Sequence, residues 1–428
     1  GANLTGISAG FDPDVDIIKI GNGAGTTTQG DNAIAIGHDA GSSGTQGANA
    51  VAIGYLAGQA TQAAGAVAVG AAAGSNAQGA DAVAIGYIAG IASQGASAVA
   101  IGRAAGSNAQ GGFAVAMGYL AGQASQGANA IAIGQDAGKT SQGANATAVG
   151  YKAGSADQGT KAVAMGNQAG RISQGDESVA IGDSAAYSSQ GAYAVTVGTN
   201  SGYNAQGTNA VAVGNMAGRL SQASHSVAMG WKAGYNAQGS TTIAIGAEAG
   251  YNAQGAVGVA VGYQAGCASQ GAGAVAIGYL AGYNAQGADA VAIGYEAARN
   301  SQGSASISVG QYAGRNSQGN YSVAIGDQAG QNSQGNYSVA LGGACGVTSQ
   351  ATNAIAIGYG AALTGQGQYA IALGRGAANY NQPANTFHTW FASVRNTNGN
   401  EYLHITNGGE FVRGNGYSDD RLKYDEKF

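Results

Sequence analysis

The chain of 428 residues contains 79 Gly but only two Pro, two Trp and six Phe, so it lacks the bulky side chains that interlock in an ordinary globular core. Collagen is excluded because Gly does not recur at every third residue, and disorder is disfavoured because only 9% of the residues are charged while Val, Ile, Leu and Met recur at fixed positions. The formal net charge of −5 is thinly spread and no apolar run reaches the length of a membrane span, so we expect neither nucleic-acid binding nor membrane insertion.

The N-terminal residues 1–30 are expected to form a cap and the first coil of a repeat structure. Asp12, Asp14 and Asp16 alternate as they would on an edge strand. Alternating carboxylates suit a calcium ion as well as a solvated cap. We favour the cap, so no metal site is predicted.

Strict repetition follows over residues 31–383, the predicted shaft. A Gly occurs at every sixteenth residue from Gly54 to Gly374 without exception, and a Gln stands eight residues before each of these Gly. The two series begin with Gly54, Gly70 and Gly86 and with Gln46, Gln62 and Gln78. A fixed period of this kind is typical of a solenoid, in which each coil packs on the next.

We number each repeat from its Gly, which is position 0. Positions −3 and −1 are branched or apolar, as in Val51 and Ile53, and positions −4 and −2 are almost always Ala. Such alternation predicts a short strand, and the segment around the Gln predicts a second, weaker one. We therefore predict an all-β parallel solenoid of about 23 sixteen-residue coils, with the Gln amides stacked as a structural ladder. At ordinary strand spacing it would be a rod on the order of 110 Å long.

The Ala face of the predicted strand is the more restricted one. Positions −4 and −2 stay small in nearly all copies, and position +3 is nearly always Ala. A face that met water would tolerate Lys or Glu, so something is expected to pack against it. We predict that identical rods lie side by side with residues such as Ala82 and Ala84 at the seam.

The phrase "GANAVAIGYLAGQATQ", Gly47 to Gln62, resembles the head repeat of YadA-type trimeric adhesins, and the likeness covers approximately residues 31–378. The resemblance implies a left-handed parallel β-roll assembled as a homotrimer, with the Val and Ile side chains inside each roll. It implies either a bacterial cell-surface adhesin or a fibre of a virus or phage, because both carry such repeats.

The repetition stops after Gln382, and the remaining sequence has an ordinary globular composition. Two Asn-Gly dipeptides, typical of hairpin turns, predict a small β-rich domain over residues 384–417. The segment 418–428 opens with "SDDRLK", which resembles the start of the intramolecular chaperone of endosialidases and of phage and viral tail fibres. That chaperone cleaves itself away at a Ser-Asp pair, here Ser418 and Asp419. The resemblance favours a viral or phage fibre on a virion surface over the bacterial adhesin.

The His residues give no sign of catalysis. His38, His225, His388 and His404 lie in unrelated settings, so neither a metal cluster nor a catalytic triad can be assembled from them. The Gly-rich phrases lack the strand–helix context of a nucleotide site. We expect no enzymatic activity and no cofactor.

Exposed positions are expected at +1, +2, +5 and −5, where residue types vary freely, and 17 of the 22 Tyr lie at +1, +5 or −5. Rows of Tyr in consecutive coils either brace those coils or offer a platform to a host glycan or protein. The candidate binding residues are Tyr263, Tyr279 and Tyr295 at +1, Tyr235 and Tyr251 at +5, and Trp390 in the C-terminal part. The predicted function is a rigid trimeric rod that displays host-attachment surfaces. An ice- or surface-binding solenoid is a second alternative, disfavoured because the exposed positions lack a regular Thr row.

The two Cys residues occupy different positions of the repeat. Cys267 lies at +5, where we expect exposure, and Cys345 lies at the restricted position +3. About five coils separate them, or roughly 24 Å at strand spacing, so no disulfide is predicted because one requires Cα atoms within about 7 Å.

Overall fold

The structure is a computed structural model that describes residues 16–389 and the strand backbones of 401–405 and 411–415. Residues 16–389 form an all-β parallel solenoid of about 23 coils, and the described residues include no helix and so none that could span a membrane. The coils build a first sheet of 24 strands and a second sheet of 21 strands. The predicted parallel solenoid is confirmed.

The first sheet comprises Ile18–Ile20 (β1), Ile34–Ile36 (β2), Val51–Ile53 (β3), Val67–Val69 (β5), Val83–Ile85 (β7), Val99–Ile101 (β9), Val115–Met117 (β11), Ile131–Ile133 (β13), Thr147–Val149 (β15), Val163–Met165 (β17), Val179–Ile181 (β19), Val195–Val197 (β21), Val211–Val213 (β23), Val227–Met229 (β25), Ile243–Ile245 (β27), Val259–Val261 (β29), Val275–Ile277 (β31), Val291–Ile293 (β33), Ile307–Val309 (β35), Val323–Ile325 (β37), Val339–Leu341 (β39), Ile355–Ile357 (β41), Ile371–Leu373 (β43) and Phe387–Thr389 (β45).

The second sheet comprises Thr61–Gln62 (β4), Ala77–Gln78 (β6), Ala92–Gln94 (β8), Asn108–Gln110 (β10), Ala124–Gln126 (β12), Thr140–Gln142 (β14), Ala156–Gln158 (β16), Ile172–Gln174 (β18), Ser188–Gln190 (β20), Asn204–Gln206 (β22), Leu220–Gln222 (β24), Asn236–Gln238 (β26), Asn252–Gln254 (β28), Ala268–Gln270 (β30), Asn284–Gln286 (β32), Asn300–Gln302 (β34), Asn316–Gln318 (β36), Asn332–Gln334 (β38), Thr348–Gln350 (β40), Thr364–Gln366 (β42) and Tyr380–Gln382 (β44).

The register between coils follows the sequence period. In the first sheet Val51 pairs with Val67, sixteen residues later. One coil is longer by a residue, because Ile34 pairs with Val51 at a separation of seventeen. The first sheet keeps its register there, whereas Gln46 on the other side of that coil makes only isolated bridges. The second sheet therefore forms regular strands only after this longer coil.

The Gly at position 0 is required by the backbone. All of these Gly have φ between 106° and 132°, a range that residues other than Gly rarely adopt. A Cβ on Gly118 would lie 2.6 Å from the carbonyl oxygen of Gly134 in the next coil. Both constraints recur in every coil, which explains why the series tolerates no substitution.

The interior of the roll consists of Ala and Gln rather than Val and Ile. Ala50, Ala52 and Ala57, at positions −4, −2 and +3, are fully buried within the single chain. Ala82 and Ala84 are equally buried, so the predicted seam at the Ala face is wrong. The expectation that the branched residues fill the roll is wrong for the same reason.

The narrowness of the interior explains this inversion. A Cβ on Gly122 would lie 2.7 Å from the Oε1 of Gln126 and 3.2 Å from the Cβ of Ala116. Position −2 therefore holds small side chains, Ala in most coils and Thr196 or Ser308 in two of them. Strand alternation then points Val115 and Met117 outward, where they are only partly covered.

The Gln side chains span the interior and hold the two sheets together. The Nε2 of Gln126 donates to the carbonyl of Val115 in its own coil at 2.9 Å and to the Oε1 of Gln142 in the next coil at 3.0 Å. Where Thr196 replaces Ala at −2, its hydroxyl joins the ladder by donating to the Oε1 of Gln206 at 2.7 Å. The ladder has interruptions, since the buried Oε1 of Gln46 has no hydrogen-bond partner. The contacts of Gln126 tie it to its own coil and to the next one.

The C-terminal part is described only in fragments. Glu401–Ile405 (β46) pairs with Phe411–Asn415 (β47) in an antiparallel arrangement. Trp390, Ser418 and Asp419 lie outside the described residues, as do Asp12 and Asp14 at the other end.

Candidate interaction surfaces

The outer face of the first sheet is a continuous apolar stripe. Side chains at −3 and −1 point outward from every coil, and those at −1 are commonly more than a third exposed, such as Ile85 at 38% and Met165 at 42%. Strands of three residues give the stripe a width of roughly 10 Å, and 24 of them give a length on the order of 110 Å. Monomeric soluble proteins rarely expose apolar patches larger than a few hundred Å². An apolar face of this extent is typical of a surface that other chains cover.

Two edges flank this stripe. The first edge, positions +1 to +5, leads from the end of each first-sheet strand into the second sheet. The second edge runs from position +9 of one repeat to position −5 of the following repeat. It leads back to the next first-sheet strand. The outer face of the second sheet, positions +6 and +7, is the remaining surface and carries mainly Asn, Ala, Ser and Thr.

Tyr263, Tyr279 and Tyr295 form a row on the first edge, as predicted. Their ring centroids are 5.3 and 5.0 Å apart, the rings are nearly parallel, and each is about 44% exposed. These spacings exceed the carbon–carbon contact distance of about 3.5–4.0 Å, so the rings overlap with an offset and brace adjacent coils. Tyr312 meets Tyr295 edge-on at 5.5 Å. Partial burial, with a contribution from Tyr312, raises the pKa of Tyr295.

The candidate residues at +5 are less exposed than predicted. Tyr235 and Tyr251 stack at 4.9 Å and are half-buried. Arg219 lies between Tyr203 and Tyr235, 5.4 and 5.5 Å from their centroids, and donates to the Tyr235 hydroxyl at 2.6 Å. Burial is the main reason that the pKa of Tyr251 is raised. Cation–π stacking along the +5 column therefore covers part of these side chains. The sequence predicts their exposure only because residue types vary at this position.

Charge is segregated between the two edges. Within residues 16–389 the first edge carries nine basic residues, Arg103, Lys139, Lys152, Arg171, Arg219, Lys232, Arg299, Arg315 and Arg375, and six acidic residues, Asp39, Asp136, Asp183, Glu248, Glu296 and Asp327. The second edge carries five acidic residues, Asp31, Asp81, Asp176, Glu177 and Asp289, and one basic residue, Lys161. The formal charge is thus +3 on the first edge and −4 on the second.

Cations on the first edge are commonly stacked on rings. Arg103 lies 5.7 Å from the centroid of Tyr87 and 5.6 Å from that of Tyr119. Lys232 lies 4.4 Å from the centroid of Trp231. Trp231 is not among the predicted binding residues, although its place at +1 gives the same signal as the Tyr row.

The residues that could support catalysis or metal binding are dispersed. His38 contacts its neighbour Asp39 at 3.0 Å and the ring of Tyr55 at 5.7 Å between centroids. Among the described residues there is no group of three or more His, Cys, Asp or Glu that could hold a metal ion.

Both Cys residues are free and buried. Cys345 is fully buried inside the roll, as its position predicts, and Cys267 is only 8% exposed, so its predicted exposure is wrong. Burial raises the pKa of Cys267 to about 11 and that of Cys345 to about 12.

A family model described as the YadA head domain repeat (2 copies) matches residues 20–40, 29–57 and 317–344. No curated protein and no solved structure gives a match. The matches support a YadA-like β-roll and indicate a surface-exposed, adhesin-like fibre of a type that is typically trimeric. They do not extend to the C-terminal segment, so its resemblance to an intramolecular chaperone stays a prediction.

Proposed function

We propose that the protein is the shaft of a homotrimeric fibre that carries host-attachment surfaces on a virus or phage particle. The observation that carries this proposal is the apolar outer face of the first sheet. A single roll leaves this stripe in water along its whole length, whereas three parallel copies can turn their stripes toward a common axis and bury them.

The geometry of the roll suits such an assembly. Every coil of the stripe presents two outward side chains, at −3 and −1, so three copies contribute six per layer. Because every copy has the same coil spacing, layers that coincide in one coil coincide along the whole rod. Burial of side chains that a single chain leaves partly exposed then stabilises the trimer coil by coil.

The viral or phage setting rests on the "SDDRLK" segment, Ser418 to Lys423, and the bacterial surface adhesin is the alternative that the YadA-like repeats equally support. Mass spectrometry of the particles or envelopes that carry the chain distinguishes them. Virion structural proteins alongside it would support the proposal. An outer-membrane anchor on the same polypeptide would contradict it.

Two regions are candidates for attachment to a host glycan or protein. One is the row of Tyr263, Tyr279 and Tyr295, and the other is the C-terminal part that includes Trp390. A variant with all three Tyr replaced by Ser should be compared with a rod that lacks residues 384–428, after each is shown to be trimeric. Loss of cell or glycan binding in only one of them assigns recognition to that region. A wild-type rod that binds neither cells nor glycans would contradict an attachment role.

A further inference from the structure

We infer that the trimer closes head to tail in the lateral sense, so that unlike edges of neighbouring chains meet. Position +1 of each chain packs against position −5 of the next chain. The inference rests on the proposed trimer and specifies its seam. The partner is a second copy of this chain in the same orientation and at the same height.

The topology restricts which edges can meet. Each first-sheet strand starts beside the second edge and ends beside the first edge. When three copies turn their stripes toward a threefold axis, the first edge of one chain lies beside the second edge of its neighbour. Such an interface is heterologous, and it closes after three copies.

Exposed aromatic residues are concentrated on the two rows that would meet. Row +1 contains Tyr55, Tyr87, Tyr119, Tyr151, Trp231, Tyr263, Tyr279, Tyr295 and Tyr359, and row −5 contains Phe113, Tyr193, Tyr321, Tyr337 and Tyr369. The outer face of the second sheet has only Tyr380 among the described residues. Aromatic enrichment is a property of protein interfaces. Its confinement to the flanks of the apolar stripe indicates that the contact surface extends around both edges.

Charge contributes little to this contact. Row +1 itself carries two basic residues, Arg103 and Arg375, and two acidic residues, Asp183 and Asp327, so its formal charge is zero. The seam is therefore inferred from the apolar stripe and the aromatic rows beside it, and exposed ion pairs would contribute at most about 1 kcal/mol each.

Residues Val257 and Tyr263 offer a direct test because they flank the same strand, Val259–Val261, on opposite edges. They are 62% and 44% exposed in the single chain. The strand between them spans roughly 10 Å, which is more than a disulfide can bridge within one chain. A threefold axis involves no translation, so Val257 of one chain and Tyr263 of the next lie at nearly the same height.

The experiment uses the full chain with the native thiols removed by Cys267→Ser and Cys345→Ala. Val257→Cys and Tyr263→Cys are introduced together, the rod is oxidised, and covalent species are separated under denaturing conditions. We expect covalent trimers, because each chain would be joined to the next around the ring. The matched control combines Tyr263→Cys with Asn284→Cys, on the outer face of the second sheet, and should give no covalent trimer.

The native mass of the same variants is measured in parallel, to separate failure of the seam from failure of the trimer. A trimeric mass without covalent trimers would overturn the head-to-tail seam and leave the proposed trimer intact. Covalent dimers from Val257→Cys alone would also overturn it, because equivalent edges would then be in contact. A single-chain mass would overturn both the seam and the trimer. If the seam is correct, row +1 is largely covered, and recognition belongs to the C-terminal part or the second-sheet face.

Discussion

Lysine at position −1 tests whether the apolar stripe is the subunit interface. The triple substitution Ile85→Lys, Ile101→Lys and Met117→Lys changes three consecutive coils. In a single roll these side chains already contact water, and Ile85 and Met117 are 38% and 39% exposed, so the ammonium groups can remain solvated. The roll itself should therefore keep its fold.

The expected effect on the trimer is much larger. Burying the remaining two-fifths of a side chain of this size contributes about 0.6–1.2 kcal/mol, so three coils lose about 2–4 kcal/mol per chain. The nine ammonium groups of three chains would in addition be confined near the axis, each with a desolvation cost of several kcal/mol. We expect the assembly to dissociate.

Sedimentation equilibrium measures this result directly, with circular dichroism to check that the β structure remains. The wild type should have about three times the chain mass of 41.3 kDa, and the triple variant should have the mass of one chain. The matched control, Ala92→Lys, Asn108→Lys and Ala124→Lys, alters the same coils on the outer face of the second sheet and should stay trimeric. A triple variant at −1 that keeps the wild-type mass and melting temperature would refute the reasoning.

Three further predictions concern the roll itself. Ala84→Lys should disrupt folding around its coil rather than assembly alone, because Ala84 is fully buried within one chain; limited proteolysis near that coil should increase, and an intact but dissociated roll would contradict this. Gly118→Ala should lower the free energy of unfolding by at least about 1–3 kcal/mol, since φ is 132° and the new Cβ would meet the Gly134 carbonyl at 2.6 Å; calorimetry showing an unchanged melting temperature would argue against a strained backbone there. Cys267 and Cys345 should react slowly with iodoacetamide in the native rod at pH 8, and the rate at Cys267 should rise as the pH approaches about 11, because the thiolate is the reactive form; fast labelling at pH 8 would show that Cys267 is not buried.

The repeat period allowed most of the fold to be predicted from the sequence. The Gly series has one physical cause, the positive φ and the contact with the next coil at Gly118, and the Gln series has another, the ladder seen at Gln126. Each constraint acts between adjacent coils, so it appears in the sequence as strict repetition. The coil length, the register and the stacking of the Gln side chains could therefore be predicted.

The assignment of the two strand faces could not be predicted from hydrophobicity alone. In an ordinary core the larger apolar residue is inside, but here the narrow interior holds mostly Ala, as at Ala116, while Met117 lies outside. A signal was present in the sequence. Position +3 is restricted to small residues, as are positions −2 and −4. Small residues on both a strand and the turn that follows it indicate a narrow interior.

The exposure of the +5 column was also beyond sequence reasoning. Variable residue types such as Arg219, Tyr235 and Cys267 suggested a free surface. In the structure Arg219 and Tyr235 are half-buried by stacking along the column, and Cys267 is buried there. Side chains with different chemistry can therefore fill the same column, because each needs only a compatible neighbour above and below.

The reactivity of a thiol placed on the apolar stripe reports directly on whether three stripes meet at a common axis. Ile181→Cys, in a chain that also carries Cys267→Ser and Cys345→Ala, replaces a side chain that is 38% exposed in the single roll. If three stripes meet at the axis, maleimide should label this position in the native rod far more slowly than it labels Asn204→Cys on the outer face of the second sheet. Equal labelling rates at the two positions in the native rod would show that the stripe is not covered by other chains.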